Sequence, residues 1–160
     1  MNSITRIILV VFLMITTSAY AKGIIGSLIG GAICEVIGKS ATTSQSIDAS
    51  FLVKLANQTN EQLPMTGDKY TRIDNIIPGP GLRWTINNTI VTAESKNIDD
   101  STREEFLQTI QPQVKTKACS TPDMQFFFKN GVTVCYTYRT SDGGFIAEFD
   151  ITPQDCGYPS

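Results

Sequence analysis

The chain has 160 residues, a formal net charge of −2 at pH 7 and no histidine. The absence of histidine excludes histidine general bases, Ser-His and Cys-His nucleophile pairs, and most zinc and copper sites. We therefore expect no metal site, no cofactor and no catalytic residue. The mildly acidic balance, without any cluster of basic residues, argues against a nucleic-acid partner and against binding to anionic membrane surfaces.

Residues 1–21 have the pattern of a cleaved signal peptide. Arg6 supplies a positive start, Ile7 to Ile15 form an unbroken apolar run, and Ala19-Tyr20-Ala21 is a cleavage site of the A-x-A type. The apolar run is shorter than the roughly 20 residues that a membrane-spanning helix needs. The sequence thus predicts an exported protein, periplasmic or secreted, whose mature chain starts at Lys22.

Residues 22–46 differ in composition from the rest of the chain. Residues 22–38 are apolar and glycine-rich, with small residues at every fourth position: Gly26, Gly30, Cys34 and Gly38. Such a stripe lets helices approach closely, so one hypothesis is a segment that inserts into a membrane or self-associates. The other, which we favour, is an apolar N-terminus that packs on the domain or lacks a fixed structure, because glycine costs about 1 kcal/mol per helical position. Residues 40–46 read as a Ser/Thr-rich linker, which leaves one domain at 47–160.

The first half of this domain shows one helical pattern and two extended patterns. Helical spacing of apolar residues predicts a helix over residues 48–62 that ends before Pro64. Strands follow over residues 70–77 and 82–91, and the turn Pro78-Gly79-Pro80-Gly81 is expected to end the first of them. Asn88 interrupts the apolar face of the second strand, which suggests that this strand lies near a sheet edge.

The second half begins with two further helices and ends with a hairpin. Ser101 and Glu104 match a capping box at the start of one helix, which Pro112 is expected to end or kink. A short helix follows over residues 121–130, and its Met124, Phe127 and Phe128 are expected to pack onto the hairpin. Two strands rich in β-branched and aromatic residues then flank the turn Asp142-Gly143-Gly144. Their alternation predicts a shared core face made of Val132, Val134, Tyr136 and Tyr138 on one strand and Phe145, Ala147, Phe149 and Ile151 on the other.

The order of elements is helix, strand, strand, helix, helix, strand, strand. This order predicts an α+β domain: an antiparallel sheet of about four strands with two or three helices packed on one face.

Four cysteines in an exported chain favour disulfides. Cys119 and Cys156 lie at the ends of predicted elements, so a bridge between them is the favoured pairing. Cys135 points away from the core face of its strand. It either pairs with Cys34, which would hold the glycine-rich segment across the second face of the sheet, or remains a lone thiol. None of the four is in a C-x-x-C arrangement, which argues against a thiol oxidoreductase.

The chain contains four short stretches of note: Leu63-Pro64-Met65, Asp68 with Thr71-Arg72-Ile73-Asp74, Asn130-Gly131-Val132-Thr133-Val134, and Thr152-Pro153 with Cys156. These stretches resemble a group of small exported bacterial proteins without an established activity. The resemblance spans about residues 50–156 and omits the glycine-rich segment. It implies an exported bacterial domain and carries no site residues across.

Carboxylates are the only acid–base groups that the sequence offers. Glu148 and Asp150 share the polar face of the last strand, with Asp142 in the turn, and paired carboxylates can hydrolyse glycosides. A solvated strand face explains them more simply. Arg72 and Asp74 likewise read as a surface ion pair rather than a ligand site.

The function that the sequence favours is a non-enzymatic exported domain that binds a protein or a cell-envelope component. Tyr138, Arg139 and Phe145, beside the hairpin turn, are its candidate partner contacts. The alternatives are a membrane-associated protein that inserts or self-associates through residues 22–38 and, third, a small carboxylate-dependent hydrolase.

Overall fold

A computed structural model describes residues 47–159, which form three α-helices and one five-stranded sheet. Residues 1–46 lie outside the described part. The predicted signal peptide and the glycine-rich segment therefore lie outside the described residues, and the domain boundary at residue 47 stays a prediction. Among the described residues, no helix is both long enough and apolar enough to cross a membrane. The elements in chain order are α1 (Ala49–Asn60), β1 (Met65–Thr66), β2 (Thr71–Gly79), β3 (Arg83–Ile90), α2 (Asp100–Ser120), α3 (Pro122–Lys129), β4 (Thr133–Thr140) and β5 (Phe145–Ile151), with short 3-10 turns at Ser95–Asn97 and Gln154–Cys156.

The sheet has the order β1-β2-β3-β4-β5 and is mixed. The α+β class is confirmed, but the antiparallel sheet of about four strands is wrong in two respects. The central pair, β3 with β4, is parallel, because the chain crosses through α2 and α3 before it re-enters the sheet. The fifth strand, β1, has two residues and pairs with β2, and so short a strand has no alternation to detect.

Asn88 lies at the centre of the sheet rather than near its edge. Its strand, β3, has neighbours on both sides, and its side chain is 4% exposed. The amide nitrogen of Asn88 donates to the carbonyl oxygens of Ile86 at 3.0 Å and Thr137 at 3.3 Å. The amide is tolerated in the core because its nitrogen is hydrogen-bonded to backbone carbonyls. The sequence shows only a polar residue within an apolar pattern and does not show these partners.

All three helices pack on one face of the sheet, which we call the core face. Trp84 on β3 is fully buried, and its ring centroid lies 5.1 Å from that of Phe127 on α3. Phe106 on α2 contacts Tyr138 on β4 with ring centroids 5.3 Å apart. Met124, Phe127 and Phe128, which the sequence predicts to pack onto the hairpin, are all buried in a core cluster that also contains the hairpin residues Val134, Tyr136 and Phe149. The opposite face, which we call the open face, carries polar side chains and no described helix.

Helix α2 begins and ends differently from the prediction. Its N-cap is Asp99, whose carboxylate accepts from the Thr102 backbone N–H at 2.8 Å and from the Thr102 hydroxyl at 2.6 Å, so Ser101 lies inside the first turn. The helix also continues through Pro112 to Ser120. A proline removes one helical N–H, and here the carbonyl that loses its partner belongs to the exposed Gln108, where water can replace it.

Strand β2 extends two residues further than predicted, through Pro78 and Gly79. Pro78 pairs with Trp84, and Gly79 pairs with Arg83. This is possible because β1 covers only Arg72 and Ile73, so the outer side of β2 is an edge at Pro78, where a missing N–H removes no ladder bond.

The structure joins Cys119, at the end of α2, to Cys156, in the turn after β5. Lys115 and Asp155 form an ion pair at 2.7 Å between the same two elements. Cys135 is buried and has no disulfide partner among residues 47–159. Because Cys34 lies outside those residues, the Cys34–Cys135 pairing stays a prediction.

Candidate interaction surface at helix α2 and the last hairpin

The turn of the β4–β5 hairpin is held by Asp142. Its carboxylate accepts from the Ser95 backbone N–H at 3.0 Å, from the Ser95 hydroxyl, and from the Thr140 hydroxyl at 2.5 Å. These bonds hold the pKa of Asp142 well below its ordinary value, and the bond from the Ser95 hydroxyl has the largest effect. Gly144 is required here, since a Cβ would lie 2.5 Å from the Ser95 Cβ. Asp142 therefore stabilises the turn and is not suited to proton transfer near neutral pH.

The three candidate contact residues beside this turn are divided by a register shift. Tyr138 opposes Ala147, but Arg139 opposes Phe145, so Ile146 is an extra residue in β5. The expectation that Phe145 shares the core face is therefore wrong, and its ring is 46% exposed on the open face. Tyr138 is only 6% exposed, and burial raises its pKa. Arg139 is exposed and donates to the carbonyl of Gly143 at 3.2 Å. Arg139 and Phe145 remain predicted contacts at the surface, with Tyr138 in the core beneath.

Glu148 and Asp150 lie on the open face of β5, as their spacing predicts. Both pair with Arg83 on β3, Asp150 at 2.6 Å and Glu148 at 3.4 Å. The hydrogen bond that Arg83 donates to Asp150 is the main cause that raises the pKa of Arg83. Arg83 is not among the site residues predicted from the sequence, although its position on the polar face of its strand was a usable signal. A carboxylate pair that shares one guanidinium is a strand-face ion-pair cluster, and this arrangement favours no hydrolytic role.

The same open face carries two further groups considered in the sequence. Arg72 and Asp74 form an ion pair at 2.5 Å, and the Thr89 hydroxyl donates to Asp74 at 2.5 Å. Cys135 lies between Thr85 and Asp150 in the register and is 1% exposed. Desolvation, with the neighbouring Asp150 second, raises the pKa of its thiol to about 11. The thiol is therefore protonated at neutral pH and is a poor nucleophile.

Some residues behind the resemblance lie in β1, β2 and β4, and others stabilise turns. Asp68 accepts from the backbone N–H groups of Tyr70 at 2.7 Å and Thr71 at 2.8 Å in the β1–β2 connection. Gly131 has φ of 79°, the left-handed conformation that a non-glycine residue rarely adopts, just before β4. Asp155 accepts from the Thr152 backbone N–H at 2.9 Å. These residues stabilise the local fold, and they do not form a shared site.

Helix α2 carries an apolar row that the other described residues cover incompletely. Only Thr102 and Ala118 of its residues are buried. Phe106, Ile110 and Val114 follow one another at four-residue spacing, a row about 12 Å long, with Leu107 beside it. All four are only partly buried although they pack against the core. The centre of the apolar stripe of an amphipathic helix is usually buried, whereas Ile110 keeps part of its apolar surface uncovered by the described residues.

The described residues contain no cluster of side chains suited to binding a metal ion. Within residues 47–159, no group of three or more Cys, Asp or Glu side chains is arranged to hold an ion.

No family model matches the chain, and no curated protein sequence is significantly similar to it. The fold, in contrast, is similar to that of exported and secretion-system proteins with solved structures. A candidate secreted protein of Pseudomonas aeruginosa superposes with a TM-score of 0.56 and 11% identity, over 68% of this chain and 91% of that one. The pilotin EpsS of the Vibrio vulnificus type 2 secretion system gives a TM-score of 0.54 and 15% identity, over 70% and 93% of the two chains.

The type II secretion system pilotin AspS of Vibrio cholerae gives a TM-score of 0.50 and 16% identity, over 68% of this chain and 91% of that one. At these identities the likeness shows a shared fold.

Proposed function

We propose that this chain is a non-enzymatic exported protein that binds a protein partner of the cell envelope through the apolar row of α2. The observation that carries the proposal is the partial exposure of Phe106, Ile110 and Val114 on a helix whose other faces are polar. Two proteins that share the fold are named as pilotins of type II secretion systems, which supports a role beside an envelope assembly.

The occupant of the row is an apolar segment of that partner. Contact with a partner would remove the remaining water-accessible surface of these side chains, which stabilises the complex by about 25 cal/mol per Å² of apolar surface. Exposed Glu104 and Glu105 lie at the rim near one end of the row, where polar side chains define orientation more than affinity.

The test uses a photoreactive phenylalanine analogue in the full exported chain, produced in its native host. Placed at Ile110 or Val114, the analogue should give one ultraviolet-dependent adduct, which mass spectrometry identifies as an exported or envelope protein. Gln108, exposed on the opposite side of α2, is the matched control and should give none. Absence of an adduct at Ile110, or the same adducts at Gln108, would refute the proposed contact. A glycosidase activity of the purified protein that Glu148→Gln abolishes would refute the non-enzymatic role.

A further inference from the structure

The two edges of the sheet differ in how their backbone groups are used. Along β2, β1 pairs with Arg72 and Ile73. Farther along, the side chain of Asn60 occupies both polar groups of Ile76: its Nδ2 donates to the carbonyl at 2.8 Å, and its Oδ1 accepts from the N–H at 2.8 Å. Pro78 then supplies no N–H. This edge is blocked against a further strand.

The other edge, β5, is not blocked in this way. The Thr133 N–H donates to Leu82 beside β3, so alternate residues of β4, beginning with Val134, direct their N–H and C=O groups towards β5. Their partners in β5 are Ala147, Phe149 and Ile151. The residues between them, Glu148 and Asp150, therefore direct their N–H and C=O groups outward.

Within the described chain, no hydrogen bond reaches the backbone groups of Glu148 or Asp150 from outside the sheet. Only the start of the strand is occupied, where Arg103 donates to the carbonyl of Phe145 at 3.2 Å. We call this site the β5 edge: the outward backbone groups of Glu148 and Asp150 together with their side chains.

The charge of the β5 edge determines which kind of strand can pair with it. The side chains of Glu148 and Asp150 are 48% and 37% exposed, and the two carboxylates share one cation, Arg83. A second copy of this chain, paired antiparallel along β5, would place these carboxylates opposite one another, which destabilises the pairing. A strand with basic residues on the open face would instead place their Cβ atoms about 5 Å from those of Glu148 and Asp150, within reach of an ion pair.

We propose that the β5 edge binds an extended segment of a protein partner in which lysine or arginine alternates with apolar residues. The segment adds a sixth strand to the sheet. Four backbone hydrogen bonds to Glu148 and Asp150 supply its affinity, and the two carboxylates select its charge. This surface is distinct from the apolar row of α2, and its test does not depend on that row.

The probe is a capped heptapeptide of alternating valine and lysine, added to the mature exported protein. Amide hydrogen exchange measured by NMR reports each backbone N–H separately. Exchange at Glu148 and Asp150 should be fast in the free protein and about tenfold slower with saturating peptide. The amides of Ala147 and Phe149, already bonded within the sheet, should not change. A matched peptide with glutamate in place of lysine should give no slowing.

Two variants separate edge pairing from charge attraction. Glu148→Pro removes an outward N–H without removing a ladder bond, and it should abolish the slowing at Asp150. The double variant E148K/D150K should reverse the preference, so that the glutamate peptide slows exchange at position 148 and the lysine peptide does not. Thermal unfolding verifies that both variants fold. If Glu148→Pro does not fold, the double variant decides alone.

Three results would overturn the proposal: no slowing with either peptide, equal slowing with both, or slow exchange at Glu148 and Asp150 in the free protein. In the last case the edge is already covered. Dependence of that protection on protein concentration would then identify a second copy as the occupant, and its loss on deletion of residues 22–46 would identify the chain's own N-terminal segment.

Discussion

Replacement of Asn60 by alanine tests whether one side chain joins α1 to the edge of the sheet. The amide of Asn60 makes two hydrogen bonds of 2.8 Å to the backbone of Ile76, a residue that is 3% exposed. Each such bond contributes roughly 1 kcal/mol, and leaving a buried backbone group unpaired costs more than the bond alone. We expect Asn60→Ala to lower the free energy of unfolding by about 2–3 kcal/mol.

The assay is urea unfolding followed by the fluorescence of Trp84, the single tryptophan, which lies fully buried against Phe127. Asn57→Ala, an exposed position on the same helix, is the control and should change stability by less than about 0.5 kcal/mol. Equal effects of the two substitutions would show that the Asn60 bonds do not stabilise the fold.

Asn60→Asp sharpens the test. The carboxylate retains an acceptor for the Ile76 N–H but faces the Ile76 carbonyl, so the charged form is disfavoured in the folded state and the pKa of the new aspartate rises there. A raised folded-state pKa gives stability that is present at low pH and lost as pH increases through it. The deficit of this variant relative to the native protein should therefore shrink as pH falls towards about 3.9. A deficit independent of pH would refute this account of the contact.

Three further predictions concern other parts of the chain. Removing the disulfide with C119A/C156A should lower the free energy of unfolding by about 3–4 kcal/mol in the chain-entropy description, and reductant should bring the native protein to the same value in urea. Asp155, whose pKa is lowered to about 2 by Lys115 and by the Thr152 N–H and hydroxyl, stabilises the fold above its ordinary value of 3.8, and this contribution is lost as pH falls through about 2. Between pH 4 and 2, Asp155→Asn should therefore show a flatter loss of stability in thermal melts than the native protein. In liposome flotation, the mature chain should stay in the soluble fraction with or without residues 22–38; flotation that requires this segment would establish the membrane-associated alternative.

Periodicity predicted the elements well where one physical signal dominates. Helix α3 begins at Pro122, a residue type favoured at the first helical position, and ends before Asn130-Gly131. Strand β3 extends over the alternating residues from Arg83 to Ile90. Prediction failed where distant residues decide the outcome. The parallel pairing of β3 with β4 depends on where α2 and α3 return the chain, which no local pattern encodes.

The candidate surfaces were predicted less completely than the fold. Phe145 was assigned to the core because alternation cannot show the extra residue at Ile146. The helical spacing of Phe106, Ile110 and Val114 is visible in the sequence, but the incomplete coverage of this row is a property of the assembled domain. That no described strand pairs with the outer side of β5 is likewise a property of the assembled sheet.

The parallel pairing of β3 with β4 is the boundary between two consecutive parts of the described chain that pack against each other. Residues 47–90 contribute α1 and β1–β3, and residues 100–156 contribute α2, α3, β4 and β5 together with both cysteines of the disulfide. No covalent link other than the connection between β3 and α2 joins these two parts of the described chain. A chain cleaved once in that connection thus yields two fragments with complementary faces of one core, a natural position for division into a split protein.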